Sequence, residues 1–169
     1  MKNTLRTAVL VIAFGLLSSF QLARAAGTVI PNFSALVQVP SGLSGLSSPL
    51  GFIVSSPTSF LLRAIGPSLA SFGVKGVVAQ PQLRFFDSTG KEIFYATGAG
   101  DVGINWPAVF LSVGAFQLTA TGDWVQVITF PAGAYTVSIS DTTHTGGTAL
   151  LEFYQSPTII FLPGTVVVP

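Results

Sequence analysis

The feature that most constrains this chain is its punctuation. Beyond residue 25, apolar runs rich in Val, Ile, Phe and Thr are short, and clusters of Gly, Pro, Ser and Thr break them. Few windows keep the spacing that a helix needs to bury one face. Short β-prone runs bounded by turn residues read as strands, and many of them in succession read as a sandwich or barrel. The spacing predicts strands over 35–39, 50–54, 60–65, 82–87, 92–96, 116–120, 124–130, 134–141, 148–155 and 158–162. Tyr135, Val137 and Ile139 alternate with Thr136, Ser138 and Ser140, so that strand buries one face and wets the other.

The turns have their own chemistry. Asp87-Ser88-Thr89-Gly90 carries Asp first and Gly fourth, the pattern of a type I turn, and joins its flanking strands as a hairpin. Phe130-Pro131-Ala132-Gly133 repeats that logic with Pro second. Two short helices fit between strands. Ser68 is placed to cap a turn over 69–72 that Gly73 stops, and Pro107 suits the first turn of a helix ending near Gly114.

Residues 1–25 have the layout of a secretory signal peptide. Lys2 and Arg6 precede an apolar stretch from Thr7 to Leu22, and Ala23-Arg24-Ala25 closes it with small residues at its first and third places. The apolar stretch is shorter than the ~20 residues that span a bilayer. The expected product is exported, to the periplasm, cell surface or medium, with no membrane span left after cleavage. Cleavage removes three of the seven basic residues and leaves Arg63, Lys75, Arg84 and Lys91 against six acids. The full chain's +1 thus becomes a small net negative charge. No basic run survives, which excludes an electrostatic footprint for nucleic acid.

Charged residues make up 8% of the chain, against a usual share of about a quarter. A surface so poor in charge is weakly defended against self-association. The chain has no cysteine, so thiol nucleophiles and thiolate metal sites are excluded.

The chemistry-bearing residues are few. His144, the single histidine, shares a loop with Asp141, but no Gly-x-Ser-x-Gly elbow supplies a nucleophile, so no catalytic set is expected. Loop acids such as Asp101 and Asp141 are candidate calcium ligands, although no Asp-x-Asp-x-Asp spacing supports them. Trp106 and Tyr154 are the aromatic residues placed to stack on a sugar, whereas Trp124 and Tyr135 fall on apolar strand faces and belong to the core. Arg63 alternates with Leu61 and Ile65, so it is partly buried and needs a partner. Glu152 or Asp87 can supply one, and the Arg63–Glu152 pair is expected to be structural. The β-prone tail carries Thr158, Ile159, Ile160, Phe161 and Leu162. It either closes its own sandwich or adds a strand to a neighbour.

The segment Phe60-Leu61-Leu62-Arg63-Ala64-Ile65-Gly66-Pro67-Ser68, running on to Phe72-Gly73-Val74, resembles a recurring motif of secreted bacterial β-sandwich modules. In these a strand ending Leu-(Ile/Leu)-Arg-Ala-(Val/Ile)-Gly-Pro leads to a turn ending Phe-Gly-Val. The stretches at 81–90 and 113–116 resemble the pieces that follow. The stretch from Pro131 to Tyr154 resembles the closing hairpin and is similar, more loosely, to bacterial pre-peptidase C-terminal domains. The resemblance implies an all-β fold, a jelly-roll-like antiparallel β-sandwich with one or two short helical turns, used as an accessory module. It brings no catalytic residues. Two departures stand out. The family's acidic, Asn-rich loop is reduced here to Asp101, Asn105 and Trp106, and no enzyme domain or sorting tail follows Tyr154 in this sequence.

The expected organisation is a signal peptide over 1–25, a sandwich over 26–157 and a β-prone tail over 158–169. The expected role is that of a non-catalytic exported protein with a structural, surface or assembly function. It needs no cofactor and can self-associate through sheet edges or the tail. A carbohydrate- or calcium-binding module is the second reading, with a glycan as partner or calcium as ligand. An eight-stranded outer-membrane barrel is the third, suggested by length and low charge.

Overall fold

The computed structural model describes residues 32–96, 104–155 and 166–167. Residues 1–25, expected to be a signal peptide, together with Asp101 and the tail residues Thr158, Ile159, Ile160, Phe161 and Leu162, lie outside the described residues.

Eight apolar runs form strands that overlap the expected ones: β1 (Asn32–Val39), β2 (Leu50–Val54), β3 (Thr58–Ile65), β4 (Pro81–Phe86), β5 (Glu92–Ala96), β6 (Trp124–Phe130), β7 (Gly133–Asp141) and β8 (Gly147–Gln155); a short β9 (Val166–Val167) is added that the spacing did not predict. One sheet has the order β1-β8-β3-β6-β9 and the other β2-β7-β4-β5. The pairing is nested: β1 with β8, β2 with β7, β3 with β6 and β4 with β5, all antiparallel. A long double strand rolled up on itself gives that order, which is the jelly roll. The described strands thus make two packed sheets around an apolar interior, not the single closed sheet of a barrel.

The nesting corrects part of the turn reading. Among the described strands only β4 and β5 form a hairpin, across the Asp87 turn, where Asp87 Oδ1 accepts from Thr89 N at 2.8 Å and Lys91 N at 3.0 Å. Strands β6, β7 and β8 alternate between the sheets. The connections at Pro131 and at 142–146 are therefore arches across the sandwich, and the stretch from Pro131 to Tyr154 is not a hairpin. Alternation within each strand fills the space between the sheets with Leu62, Ala64, Leu83, Phe85, Trp124, Ile128, Phe130, Val137, Ile139 and Leu151.

A second apolar cluster lies on the outer face of the first sheet. Leu61 of β3, Val125 and Val127 of β6 and Tyr154 of β8 are covered there by Phe110 and Ala115. Phe110 belongs to the helix α1 (Trp106–Val113), which the Asn105 side chain caps by accepting from Ala108 N at 3.3 Å and which Gly114 ends at φ 73°. The segment after α1 crosses this outer face without strand pairing, so the strand expected over 116–120 is absent. Its backbone groups are taken by side chains of the sheet and of the turn after β3. In the tail, Val166 and Val167 pair in parallel with Ile128 and Thr129 of β6.

Candidate functional site

The buried polar chemistry gathers under this outer cover. The continuous apolar run of β3 is buried on both faces, which puts Arg63 on the covered side at 0% exposure. Glu152 sits directly opposite on β8, and Arg63 Nε lies 3.1 Å from its Oε2. That Nε–H is not aimed at the carboxylate, so the contact is Coulombic more than a hydrogen bond. Arg63 Nη1 donates to the Phe116 carbonyl at 2.8 Å, and the guanidinium carbon lies 4.5 Å from the ring centres of both Phe110 and Phe116. Two aromatic faces on a desolvated cation contribute about 2 kcal/mol each. Nη2 is buried without a partner.

Tyr154 completes the group by donating to Glu152 Oε1 at 3.0 Å. Burial pushes the Glu152 carboxyl above its ordinary value, against the opposing pull of Arg63 and the Tyr154 hydroxyl. Burial also lowers the Arg63 pKa, with Glu152 opposing. The Tyr154 phenol is raised to about 12, first by burial and then by the neighbouring Glu152 charge. Arg63 and Glu152 are enclosed and Tyr154 is 8% exposed, so the cluster holds the cover on the sheet.

The Gly66-Pro67-Ser68 part of the motif completes the attachment. Asp123, at the start of β6, accepts from Gly66 N at 2.8 Å. Ser68 does not cap the turn after β3, as the spacing suggested. That turn is a 3-10 helix over Pro67–Phe72 with Gly66 at its N-cap, and Gly73 ends it at φ 82°. The Ser68 hydroxyl accepts from Thr119 N at 2.8 Å and Ala120 N at 3.1 Å. Arg63, Ser68 and Asp123 thus tie the 116–123 segment down residue by residue.

The candidate binding residues take other places than expected. Tyr154 is 8% exposed and belongs to the outer cluster, so it is not a solvent-facing platform. Trp106 is half-buried and stacks on Phe110 with ring centres 6.0 Å apart. The two aromatics share one packing cluster instead of one open surface. The carboxylate of Asp141 accepts from Gln80, Thr143, Thr145 and Gly146, which holds it below the ordinary carboxylate value against the opposing effect of burial. It organises its own loop. His144 is exposed at φ 61° with its backbone bonded to that loop. Among the described residues no group of three or more His, Cys, Asp or Glu is gathered to hold a metal. An open recess of 340 Å3 is lined by Asn32, Phe33, Ser34 and Tyr154.

The surface carries a second feature. The large apolar side chains that stand most exposed are Phe33, Leu36, Leu43, Ile53, Phe72 and Leu111. The first four lie on β1, on β2 and on the loop between them. Among the described strands these two are edges of the two sheets. No Asp, Glu, Lys or Arg occurs between Arg24 and Arg63, so this whole margin is free of charge. Edge strands are ordinarily guarded by charges, proline or short length. β1 has none of these guards along its 8 residues.

Sequence reasoning passed over Phe110, Phe116, Asp123 and the true partners of Ser68. The signal available was β3 itself: a strand buried on both faces requires a cover, and its arginine requires something to cover it with. The uncharged stretch is legible at a glance, but its meaning depends on knowing that it forms two edges. No protein-family model matches this chain, and no curated protein matches it significantly.

Proposed function

We propose that this chain is an exported, non-catalytic jelly-roll module that works through its surface, in assembly with other copies of itself. The observation that carries this reading is the charge-free margin of β1, β2 and their loop, where exposed apolar side chains concentrate. The buried polar clusters point the same way, because Arg63, Glu152, Tyr154, Asp123 and Asp141 are all engaged with the fold itself. A protein with net charge near zero and unguarded edges associates readily.

Two measurements test it. The mass of the exported product gives the address: a product beginning at Ala26 supports the reading, and a product retaining residues 1–25 contradicts it. Sedimentation of the purified protein over a wide concentration range gives the association. A rising weight-average mass is expected, and a monomer at every concentration overturns the reading.

The recess beside Tyr154 favours a second reading, a small carbohydrate site. Asn32 and Ser34 offer hydrogen-bonding groups beside an aromatic edge. Chemical-shift changes confined to these residues on titration with glycans would favour it, and silence across a glycan panel would remove it.

A further inference from the structure

Resting on the assembly reading above, we propose that two copies of this chain pair antiparallel through β1, about a two-fold axis that passes beside Leu36. Their first sheets then become one continuous sheet. The occupant of this edge is a second copy because the strand is complementary to itself.

The backbone of an edge strand offers a row of N–H and C=O groups that any antiparallel strand satisfies. Which strand docks is decided by the side chains, and here charge decides first. Every charged residue after the signal segment lies at Arg63 or beyond. Two copies of a net negative protein therefore meet at β1 with no like charges opposed, which no charge-bearing edge offers. Among the described edges, β5 carries Glu92, β9 has 2 residues, and β2 has 5 residues with Gly51 among them.

Pattern then sets the register. Asn32, Ser34, Leu36 and Gln38 lie opposite Tyr154, Glu152, Leu150 and Thr148 on the outer face of the sheet. Phe33, Ala35, Val37 and Val39 lie on the inner face. With Leu36 opposite Leu36 of the second copy, Ser34 meets Gln38, Ala35 meets Val37, and Phe33 meets Val39. Polar faces polar and apolar faces apolar at each of these positions. The pairing also covers Leu36, which is 61% exposed in the single chain, and extends cover to Phe33 at 42%. An isologous contact of this kind closes on itself and gives a dimer rather than a fibre.

The chain has no cysteine, so one introduced thiol reports on the contact without background. In Leu36→Cys the two thiols face each other across the axis, within the 4.4–6.8 Å between Cα atoms that a disulfide spans. Mild oxidation is expected to convert most of the protein to a covalent dimer of unchanged circular dichroism. Ile53→Cys, more exposed than Leu36 and on the edge of the second sheet, is expected to remain largely monomeric on a denaturing gel. Leu36→Lys opposes two cations at the axis and is expected to raise the dissociation constant at least tenfold while leaving the melting temperature of the dilute monomer in place. An Ile53→Cys link as efficient as that of Leu36→Cys overturns the β1 pairing. So does a Leu36→Lys protein that still associates as the wild type does, although the broader assembly reading survives that result. Wild-type protein that stays monomeric, with its edge occupied by its own chain or by a different partner, overturns both.

Discussion

Arg63 is the residue on which the outer layer depends. It is enclosed by Phe110 and Phe116, paired with Glu152 and bonded to the Phe116 carbonyl. Removing one member of a buried ion pair leaves the other charge without compensation, at a cost of about 3–5 kcal/mol, whereas replacing both by apolar groups is close to neutral. Arg63→Met should therefore lower the urea midpoint sharply, and Arg63→Met with Glu152→Leu should recover most of the loss. Tyr154 links the same cluster to pH. Its phenol is raised from 10.0 to about 12, so its contribution to stability is complete below 10.0 and is lost as pH climbs through about 12. Denaturant titrations at pH 9 and near pH 12 should show a fall that Tyr154→Phe reduces. Asp141 behaves oppositely. Its carboxyl is lowered, so its contribution is present above the ordinary value of 3.8 and is lost as pH falls through the lower folded value. Asp141→Ala should cost roughly 1–3 kcal/mol at neutral pH, read as a lowered melting temperature, because it leaves the buried Gly146 N–H without its acceptor.

At the scale of elements, the short turn after β3 explains why its sequence is so particular. A Cβ on Gly66 would collide with the Val78 carbonyl, so the chain passes there only as glycine. Gly66→Ala should destabilise the protein by several times the ~1 kcal/mol typical of point substitutions, and thermal unfolding measures this directly. Ser68→Ala should cost less, about 1–2 kcal/mol, and should raise hydrogen exchange at Thr119 and Ala120 while leaving β7 unchanged. The strands themselves were largely legible. β2, β5 and β6 fall where period and punctuation placed them, because each is a β-prone run with a turn residue at either end. The segment 116–120 has the same local composition and is not a strand, because Arg63 and Ser68, both more than fifty residues away in sequence, take its backbone groups. Tyr154 failed as a surface residue for a related reason. Its strand lies inside a sheet, between β1 and β3, whose outer face carries a third layer, and no local pattern announces that layer. The Arg63–Glu152 pairing was readable because an arginine in a buried run restricts its partners to a few carboxylates.

At the scale of the molecule, nested pairing brings β1 and β2 to sheet edges, and the one long uncharged stretch of sequence supplies both. The charges are left to the other edge, the turns and the buried clusters. A protein arranged this way presents one margin where a second copy meets no electrostatic resistance. The measurement that tests this most directly is backbone amide hydrogen exchange along β1 at increasing protein concentration. The account predicts that outward-facing amides between Phe33 and Val39 gain protection with concentration while those of β5 do not. Protection in β1 that stays constant while the mass in solution doubles would place the contact elsewhere and contradict it.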